Sequence, residues 1–342
     1  MKKAFVSGIS GQDGAWLSKC LIENGYKVYG GIRRNSIRNF DRLNYLRITD
    51  KIEFVDFDLL DYSNIFNIIK DIKPDEFYNL AAQSFVGISF KQPISTYQID
   101  AMGVAYILDI LKTISPETKF YQASSSEMFG KVDKDLLPYD ETCPFYPRSP
   151  YGIAKLFSHW ATVNYRESYK MFCCSGILFN HESELRGPEF VTRKITMNVA
   201  QLYRLRDSGF AEVLELGNLD AMRDWGHAKE YCEGMFQMMQ QPTSDTYILS
   251  TGKTTSVRSF VESAFRHIDR EIKWIGEGQD EKGYDQKTGQ LLVRINPKFY
   301  RPAEVDLLLG SSQKAKKSFG WEAKIGVEKM TEIMVKYDID NI

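Results

Sequence analysis

The sequence predicts a doubly wound α/β fold, a parallel sheet with helices on both faces, joined to a smaller second domain. Three observations predict it. Short apolar runs of strand length alternate with helical periods through the first 180 residues. A glycine-rich turn, GISGQDG at 8–14, sits where the first strand gives way to the first helix. A chain of 342 residues with 43% hydrophobic content is long enough for one large domain and a smaller one.

The elements follow in order. KKAFVSG (2–8) reads as a buried strand, and a helix runs from about Asp13 to Asn24. KVYGGI (27–32) and IEFVDFD (52–58) are strands, and YSNIFNIIKDI (62–72) is helical. EFYNLAA (76–82) is a strand, followed by a helix from about Thr96 to Leu111. KFYQAS (119–124) is a strand, a helix runs from Pro150 to about Tyr169, and FCCSGILF (172–179) is a strand again. Such alternation implies a parallel sheet covered on both faces. Beyond 180 helical periods appear at 191–206, 228–241, 256–268 and 326–337. Between about 275 and 303 the chain is polar and irregular and is expected to form a long loop. The expected division is 1–180 with 219–250 as a dinucleotide-binding domain, and 181–218 with 251–342 as a substrate domain.

Composition removes several function classes. With 44 Lys and Arg against 45 Asp and Glu the net charge is −1, so no global field draws the chain to nucleic acid or to a membrane. The KAKK run at 314–317 reads as a solvated helix face. Five cysteines without a CxxC pair predict neither a disulfide framework nor a zinc site, and free thiols suit a reducing cytoplasm. The four histidines are scattered, so no metal site is expected. MKK is followed by a stretch too glycine-rich for a signal core, and no apolar run approaches a membrane span.

Gly8, Gly11 and Gly14 permit a tight turn and close backbone approach, and the helix N-terminus behind them suits a pyrophosphate. A cofactor with a free ribose 2′-hydroxyl usually meets an acid after the second strand. This chain has Arg33, Arg34 and Ser36 there, which suit a 2′-phosphate and hence NADP; the plainer alternative is a solvated pair at a loop start. Asp58, after the third strand, can accept from an adenine amino group.

In SPYGIAKLFSHW (149–160), Ser149 can cap the helix and Pro150 suits its first position. Tyr151 and Lys155 lie one turn apart on one face. A free phenol ionises near pH 10, useless for a base at neutral pH, and a neighbouring ammonium is expected to lower that value. Lys155 can also reach a nicotinamide ribose. ASSSEMFG follows the strand at 119–124, and an extended backbone would aim Ser125 and Glu127 the same way. Serine, tyrosine and lysine can together take a proton from a carbinol while a nicotinamide takes the hydride.

The glycine turn, Ser125, Tyr151 and Lys155 resemble the Rossmann-type extended short-chain dehydrogenase/reductases. The resemblance is closest to the GDP-mannose 4,6-dehydratases, through GISGQDGAWL, YNLAAQSFVG, FYQASSSEMFG, PFYPRSPYGIAK, VNYRESY, GILFNHES, FVTRKIT, GNLDAMRDWGHAKEY and FYRPAEVDLLLG, spread over residues 8–310. It implies oxidation at sugar C-4, removal of the C-5 proton, loss of water from C-6 and return of the hydride to C-6. Tyr151 is then the base for oxidation, Lys155 its electrostatic partner, Ser125 the hydrogen-bond donor to the C-4 oxygen, and Glu127 the C-5 base. It also implies NADP binding that involves Gln12, Asp13, Leu59 and Leu80, and a GDP-sugar site containing Ser89, Asn180, Lys194, Asn218, Arg223, Arg301 and Glu304. A homodimer or homotetramer is implied too. Three features depart from the family pattern: Ser125 stands where threonine is common, HESE stands where HESP is usual, which sets Glu184 beside the expected sugar pocket, and the segment KVDKDLLPYD (131–140), between Glu127 and Tyr151, is longer than usual and is expected to border the sugar. Related enzymes act on a GDP-manno-heptose, so either sugar remains open. A nucleotide-sugar epimerase or reductase is the nearest rival, opposed by Glu127 and RDWGHA. A catalytically silent dinucleotide sensor or scaffold is the second, opposed by the intact Tyr151 and Lys155.

Overall fold

The computed structural model describes residues 1–35, 38–205, 212–300, 305 and 307–341. Seven strands build the main sheet: β1 (Lys3–Ser7), β2 (Lys27–Ile32), β3 (Ile52–Asp56), β4 (Glu76–Asn79), β5 (Lys119–Ser125), β6 (Cys173–Leu178) and β7 (Thr246–Leu249). They are all parallel, in the order β7–β6–β5–β4–β1–β2–β3. The chain winds outward from β1 in one direction and then crosses back to β4. Its direction therefore reverses between β1 and β4, which opens a crevice beyond their C-terminal ends.

Alternate residues of β1 feed opposite faces. Ala4 and Val6 pack with Leu17 and Leu21 of the helix Gln12–Glu23 and with Met235 of the helix Ala228–Met239. Phe5 packs with Ile65 and Ile69 of Tyr62–Ile72 and with Val104 and Ile107 of Gly103–Ile114. Both faces are thus sealed, which accounts for the near-continuous apolar strands. The helix expected over 96–111 starts earlier and is not regular: Pro93–Tyr97 leads through a π-turn, Gln98–Met102, into Gly103–Ile114.

A second core gathers Ile195, Val199, Leu214, Leu219, Trp225, Phe260, Val293 and Met334. It lies between the helices Val191–Arg204, Val257–Arg266 and Val327–Asn341 and a four-stranded sheet. That sheet runs in the order Ile272–Ile275, Lys282–Asp285, Leu291–Ile295, Leu214–Leu216, with two antiparallel pairs and one parallel pair. The long loop expected at 275–303 is therefore largely a β-hairpin. Its turn is made by Asp285, whose Oδ1 accepts from the backbone of Lys287 at 2.7 Å and Thr288 at 3.0 Å, with Gly289 at φ +71°. The strands are four and five residues long and carry Lys282 and Arg294, so their alternation was hidden. Asp285 and Gly289, flanking a turn before LLV, were the available signal.

The two cores meet along the segment after β6. Asn180–Glu182 pairs in parallel with Trp225–His227, and the helix Ala228–Met239 then returns to the main sheet. Asp224 fastens this crossing: its carboxylate accepts from the Thr251 backbone and hydroxyl at 2.8 and 2.6 Å and from the Gly252 backbone at 3.0 Å. No helix among the described residues is long and apolar enough to cross a membrane.

Candidate active site

The crevice is lined first by the glycine turn. Gly8 has φ +69°, and a Cβ there would stand 2.9 Å from the Ala81 nitrogen at the end of β4. A Cβ on Gly14 would stand 2.4 Å from the Gly8 carbonyl oxygen, so the helix packs against its own turn only without a side chain. Gly11 caps the helix in extended conformation and gives its N–H to Gly8 at 3.0 Å. Ser7 joins the two strand ends: its hydroxyl donates to Asn79 at 2.7 Å and accepts from the Leu80 and Ala81 backbone at 3.1 Å. Arg33 and Arg34 are exposed just past β2, while Ser36 lies outside the described residues. Asp58 follows β3 and accepts from the Leu60 backbone at 3.0 Å, and Leu59 is buried beneath Gly103.

The first helical turn holds a half-buried ion pair. His181 Nδ1 lies 2.7 Å from the Phe179 carbonyl and Nε2 lies 2.9 Å from Asp13 Oδ2. Both partners can only accept, so both ring nitrogens donate and the imidazole is charged. The other Asp13 oxygen accepts from Gln12 Nε2 at 3.0 Å. Burial works against the Asp13 charge, yet His181 outweighs it and holds the carboxyl down at about 2. Burial likewise opposes the His181 charge, and Asp13 raises its pKa above the usual value.

The second cluster stands at the end of β5. Ser149 caps the helix Pro150–Tyr169 by accepting from Gly152 at 3.0 Å, with Pro150 in its first position. That cap sets Tyr151 and Lys155, both buried, toward the crevice side of the sheet end. Lys155 donates to the Ala123 carbonyl at 2.9 Å, and its Nζ lies 5.7 Å from the Tyr151 ring centre. The Ser125 hydroxyl stands close enough to the Tyr151 phenol to favour its ionised form. Glu127 is not on an extended strand: the chain turns after Ser125 into a 3₁₀ segment, Ser126–Met128, and Ser125 Oγ accepts from the Glu127 backbone at 3.2 Å. A Cβ on Gly152 would stand 2.8 Å from the Glu127 carbonyl oxygen, so this glycine lets turn and helix touch.

The expected lowering of the phenol is reversed. Burial and the Asp100 charge raise Tyr151 well above the usual tyrosine value, and the Ser125 hydroxyl offsets only part of this. Burial also lowers Lys155, although Asp100 and Asp13 favour its charge. Desolvation outweighs the helical-turn proximity that the sequence advertised.

The residues expected to meet a GDP-sugar are spread more widely. Ser89 is fully buried and donates to the Val86 carbonyl at 2.7 Å. Asn180 opens the short crossing strand. Lys194 lies 3.5 Å over the Phe299 ring; burial lowers its pKa, against Glu215. Asn218 accepts from the Asp220 backbone at 2.9 Å beside Gly217, whose Cβ would stand 2.7 Å from the Phe299 carbonyl oxygen. Lys194, Phe299 and the Gly217–Asn218 turn are thereby gathered together. Arg223 is buried and donates to the Met222 carbonyl at 2.9 Å. Arg301 and Glu304 lie outside the described residues. Glu184 is buried, with one oxygen 3.5 Å from His227 Nε2 and the other 3.5 Å from the Tyr45 hydroxyl.

Three residues in the crevice escaped the sequence reading. His181 lies 168 positions from Asp13, so nothing local marks the pair. Arg186 sits 3.0 Å from Glu182, and its charge acts on Asp13, His181 and Tyr151 together. Asp100 was visible as a lone acid within an apolar helical stretch, IDAMGVAYIL.

A family model described as GDP-mannose 4,6 dehydratase matches residues 5–334. A GDP-mannose 4,6 dehydratase of Drosophila melanogaster is 47% identical over 347 residues, covering 99% of this chain and 86% of its own. Another from Dictyostelium discoideum is 46% identical over 350 residues, covering 100% and 97%. Among solved structures, a UDP-glucose 4-epimerase from Bifidobacterium longum, in complex with NAD+ and UDP, superposes with a TM-score of 0.81 at 20% identity and covers 99% of each chain.

Proposed function

From membership of the GDP-mannose 4,6 dehydratase family, to which this chain belongs, we propose that the protein converts GDP-mannose to the GDP-4-keto-6-deoxy sugar with NADP as its resident cofactor. It is a nucleotide-sugar 4,6-dehydratase, a hydro-lyase. The observation that carries this reading is the grouping of Ser125, Tyr151 and Lys155 at the end of β5 with Glu127 on the very next turn.

The residues fit a nicotinamide dinucleotide. The glycines let the turn pack tightly beneath the N-terminus of the helix Gln12–Glu23, whose free backbone N–H groups suit a diphosphate, with Asp13 fixed by His181. Arg33 and Arg34 are exposed and free of apolar packing, as a 2′-phosphate would need. Asp58, Leu59 and Leu80 stand at the ends of β3 and β4 in the same crevice. A nicotinamide held there would supply the hydride acceptor for C-4 and the hydride donor for C-6. Tyr151 takes the C-4 hydroxyl proton, while Ser125 holds that oxygen and Lys155 supplies the positive charge that phenolate formation requires. Glu127 then takes the C-5 proton, made acidic by the C-4 ketone, and returns a proton to the C-6 hydroxyl as it leaves as water. The proton held by Tyr151 restores C-5. Lys194 and Arg223 are the cations for the GDP diphosphate, with Ser89, Asn180, Asn218, Arg301 and Glu304 completing that site. In this scheme residues 1–180 and 219–250 hold the cofactor, and 181–218 and 251–342 hold the GDP-sugar.

The missing methyl at Ser125, Glu184 and the segment at 131–140 are the features that keep a GDP-manno-heptose as the second candidate substrate. Side-by-side turnover of GDP-mannose and GDP-manno-heptose decides between them. The free thiols support a cytoplasmic setting. Ile153, Phe157 and Trp160 are exposed on one face of Pro150–Tyr169, and this face supports a homodimer or homotetramer.

Isotope traffic tests the scheme. Deuterium placed at C-4 should appear at C-6, heavy water should label C-5, and no net NADPH should accumulate. Glu127→Gln should oxidise C-4 and then stall, with bound reduced cofactor visible by absorbance. Label lost to solvent from C-4, or a fully active Glu127→Gln enzyme, would refute it. Replacing Arg34 with a neutral residue should weaken NADP far more than NAD.

A further inference from the structure

Arg42 lies outside the scheme above, and its hydrogen bonds reach across the molecule. It stands on the short helix Asp41–Tyr45. Its Nε donates to the Leu185 carbonyl at 2.6 Å, and a terminal nitrogen donates to the Ser10 carbonyl at 3.0 Å. Ser10 belongs to the glycine turn, and its peptide with Gly11 is held at the other end too, because the Gly11 N–H donates to the Gly8 carbonyl at 3.0 Å. That peptide is therefore pinned at both polar ends, immediately before the first turn of Gln12–Glu23. Leu185 lies in a short strap after the crossing strand Asn180–Glu182. The carbonyls on either side of it, Glu184 and Arg186, both accept from Arg193 of Val191–Arg204, the second at 2.9 Å. Three successive carbonyls are thus shared between two guanidiniums. The two differ in charge balance. Arg193 is paired with Asp338 at 2.6 Å. Arg42 has carbonyls where Arg193 has an acid: burial works against its charge, Glu189 supports it, and Arg193 and Arg186 oppose it. A half-buried cation held by dipoles has charge left to offer an anion.

We propose that Arg42 is a positioning residue for the dinucleotide diphosphate, pinning the glycine turn to the 184–186 strap so that the N–H groups of the first helical turn meet the diphosphate in a fixed geometry. The inference rests on the dinucleotide reading of that turn. No intrahelical carbonyl takes those N–H groups, and their aim depends on the peptide that leads into the helix. A glycine-rich lead-in has many conformations open to it, so its shape must be set by contacts. Close packing sets Gly8 and Gly14, and Arg42 sets the carbonyl between them. Its two acceptors lie 32 and 143 positions away in the chain, so the bonds serve the joint between segments rather than the helix Asp41–Tyr45 itself. Arginine suits this task better than lysine, because its planar fork holds two carbonyls at once. Through Arg193 and Asp338 the same strap is fastened to the C-terminal helix, which keeps the joint from shifting.

The test titrates the full chain by calorimetry with three probes. NADP carries both a diphosphate and a 2′-phosphate. ADP carries the diphosphate alone, and adenosine 2′-monophosphate the 2′-phosphate alone. Arg42→Met keeps the apolar stem but removes the charge and the donors. It should weaken ADP and NADP about tenfold, the size of one lost charge-assisted hydrogen bond. Adenosine 2′-monophosphate, which Arg33 and Arg34 would meet directly after β2, should change by less than about twofold. Arg42→Lys has one ammonium for two carbonyls and should recover ADP binding only in part. It also serves as the second variant should Arg42→Met fail to fold. Equal losses for ADP and adenosine 2′-monophosphate, as a general loosening of the fold would give, overturn the proposal. So does unchanged ADP binding in a folded Arg42→Met chain. Full ADP binding by Arg42→Lys overturns it as well, because charge without the fork would then be enough. A native chain that binds none of the three probes would sink the dinucleotide reading, and the proposal with it.

Discussion

The first turn of the glycine helix and the π-turn of the long helix each carry a carboxylate within reach of a cation's charge, with opposite results. Asp13 has both oxygens hydrogen-bonded and is held at about 2. Asp100 leaves one oxygen bare and is pushed to about 6. Each lies near a positive group, so the cation alone does not decide the outcome. What differs is hydrogen-bond satisfaction: His181 and Gln12 replace the water Asp13 lost, whereas Gln83 replaces only part of it for Asp100. A fully satisfied pair reads as scaffolding for the crevice. A half-satisfied acid reads as a stability cost that its surroundings do not offset.

The comparison can be broken first on the reactive side. Tyr151→Phe should cut turnover by roughly 100- to 10,000-fold while NADP and GDP-sugar still bind, measured by initial rates and by titration of cofactor fluorescence. Near-normal turnover would remove the functional half of the contrast. Next, Asp13→Ala should cost roughly 3 kcal/mol in denaturant unfolding, because it leaves the His181 imidazolium half-buried without its partner. It should also weaken cofactor binding. Asp100→Asn should act in the other direction and stabilise the fold by about 3 kcal/mol at neutral pH, since a raise of about two units is removed.

The pH windows sharpen the contrast further. Asp13 has a folded pKa below its unfolded value, so its contribution is present above about pH 4 and fades as the pH falls toward about 2. His181 is raised, so its contribution is present below its unfolded value near 6.5 and fades as the pH rises through the folded value. Asp100 has the sign opposite to Asp13: its folded pKa is raised, so its penalty is absent below about 4 and complete above about 6. Unfolding free energies of the native and Asp100→Asn chains should therefore converge by about pH 4. A gain from Asp100→Asn that persisted there would mean that packing, not charge, is responsible.

The sequence by itself determined the doubly wound sheet, the glycine turn and the family, and it put forward Ser125, Glu127, Tyr151 and Lys155 as neighbours at the end of β5. These are local features: a run of apolar residues, a cap at Ser149, and a spacing of one helical turn each leave their mark within a few positions. Tertiary structure alone decided the rest. The hairpin at Lys282–Ile295 emerged because short charged strands pair only when Leu214–Leu216 and the second core are there to receive them. Glu184 turned toward His227 because the chain crosses at Asn180–Glu182 and Trp225–His227, segments 45 positions apart in register. The direction of the Tyr151 shift likewise depended on desolvation and on Asp100, which sequence spacing does not encode. Burial is a property of everything packed around a group, so the proton chemistry of this site was written by contacts among distant segments.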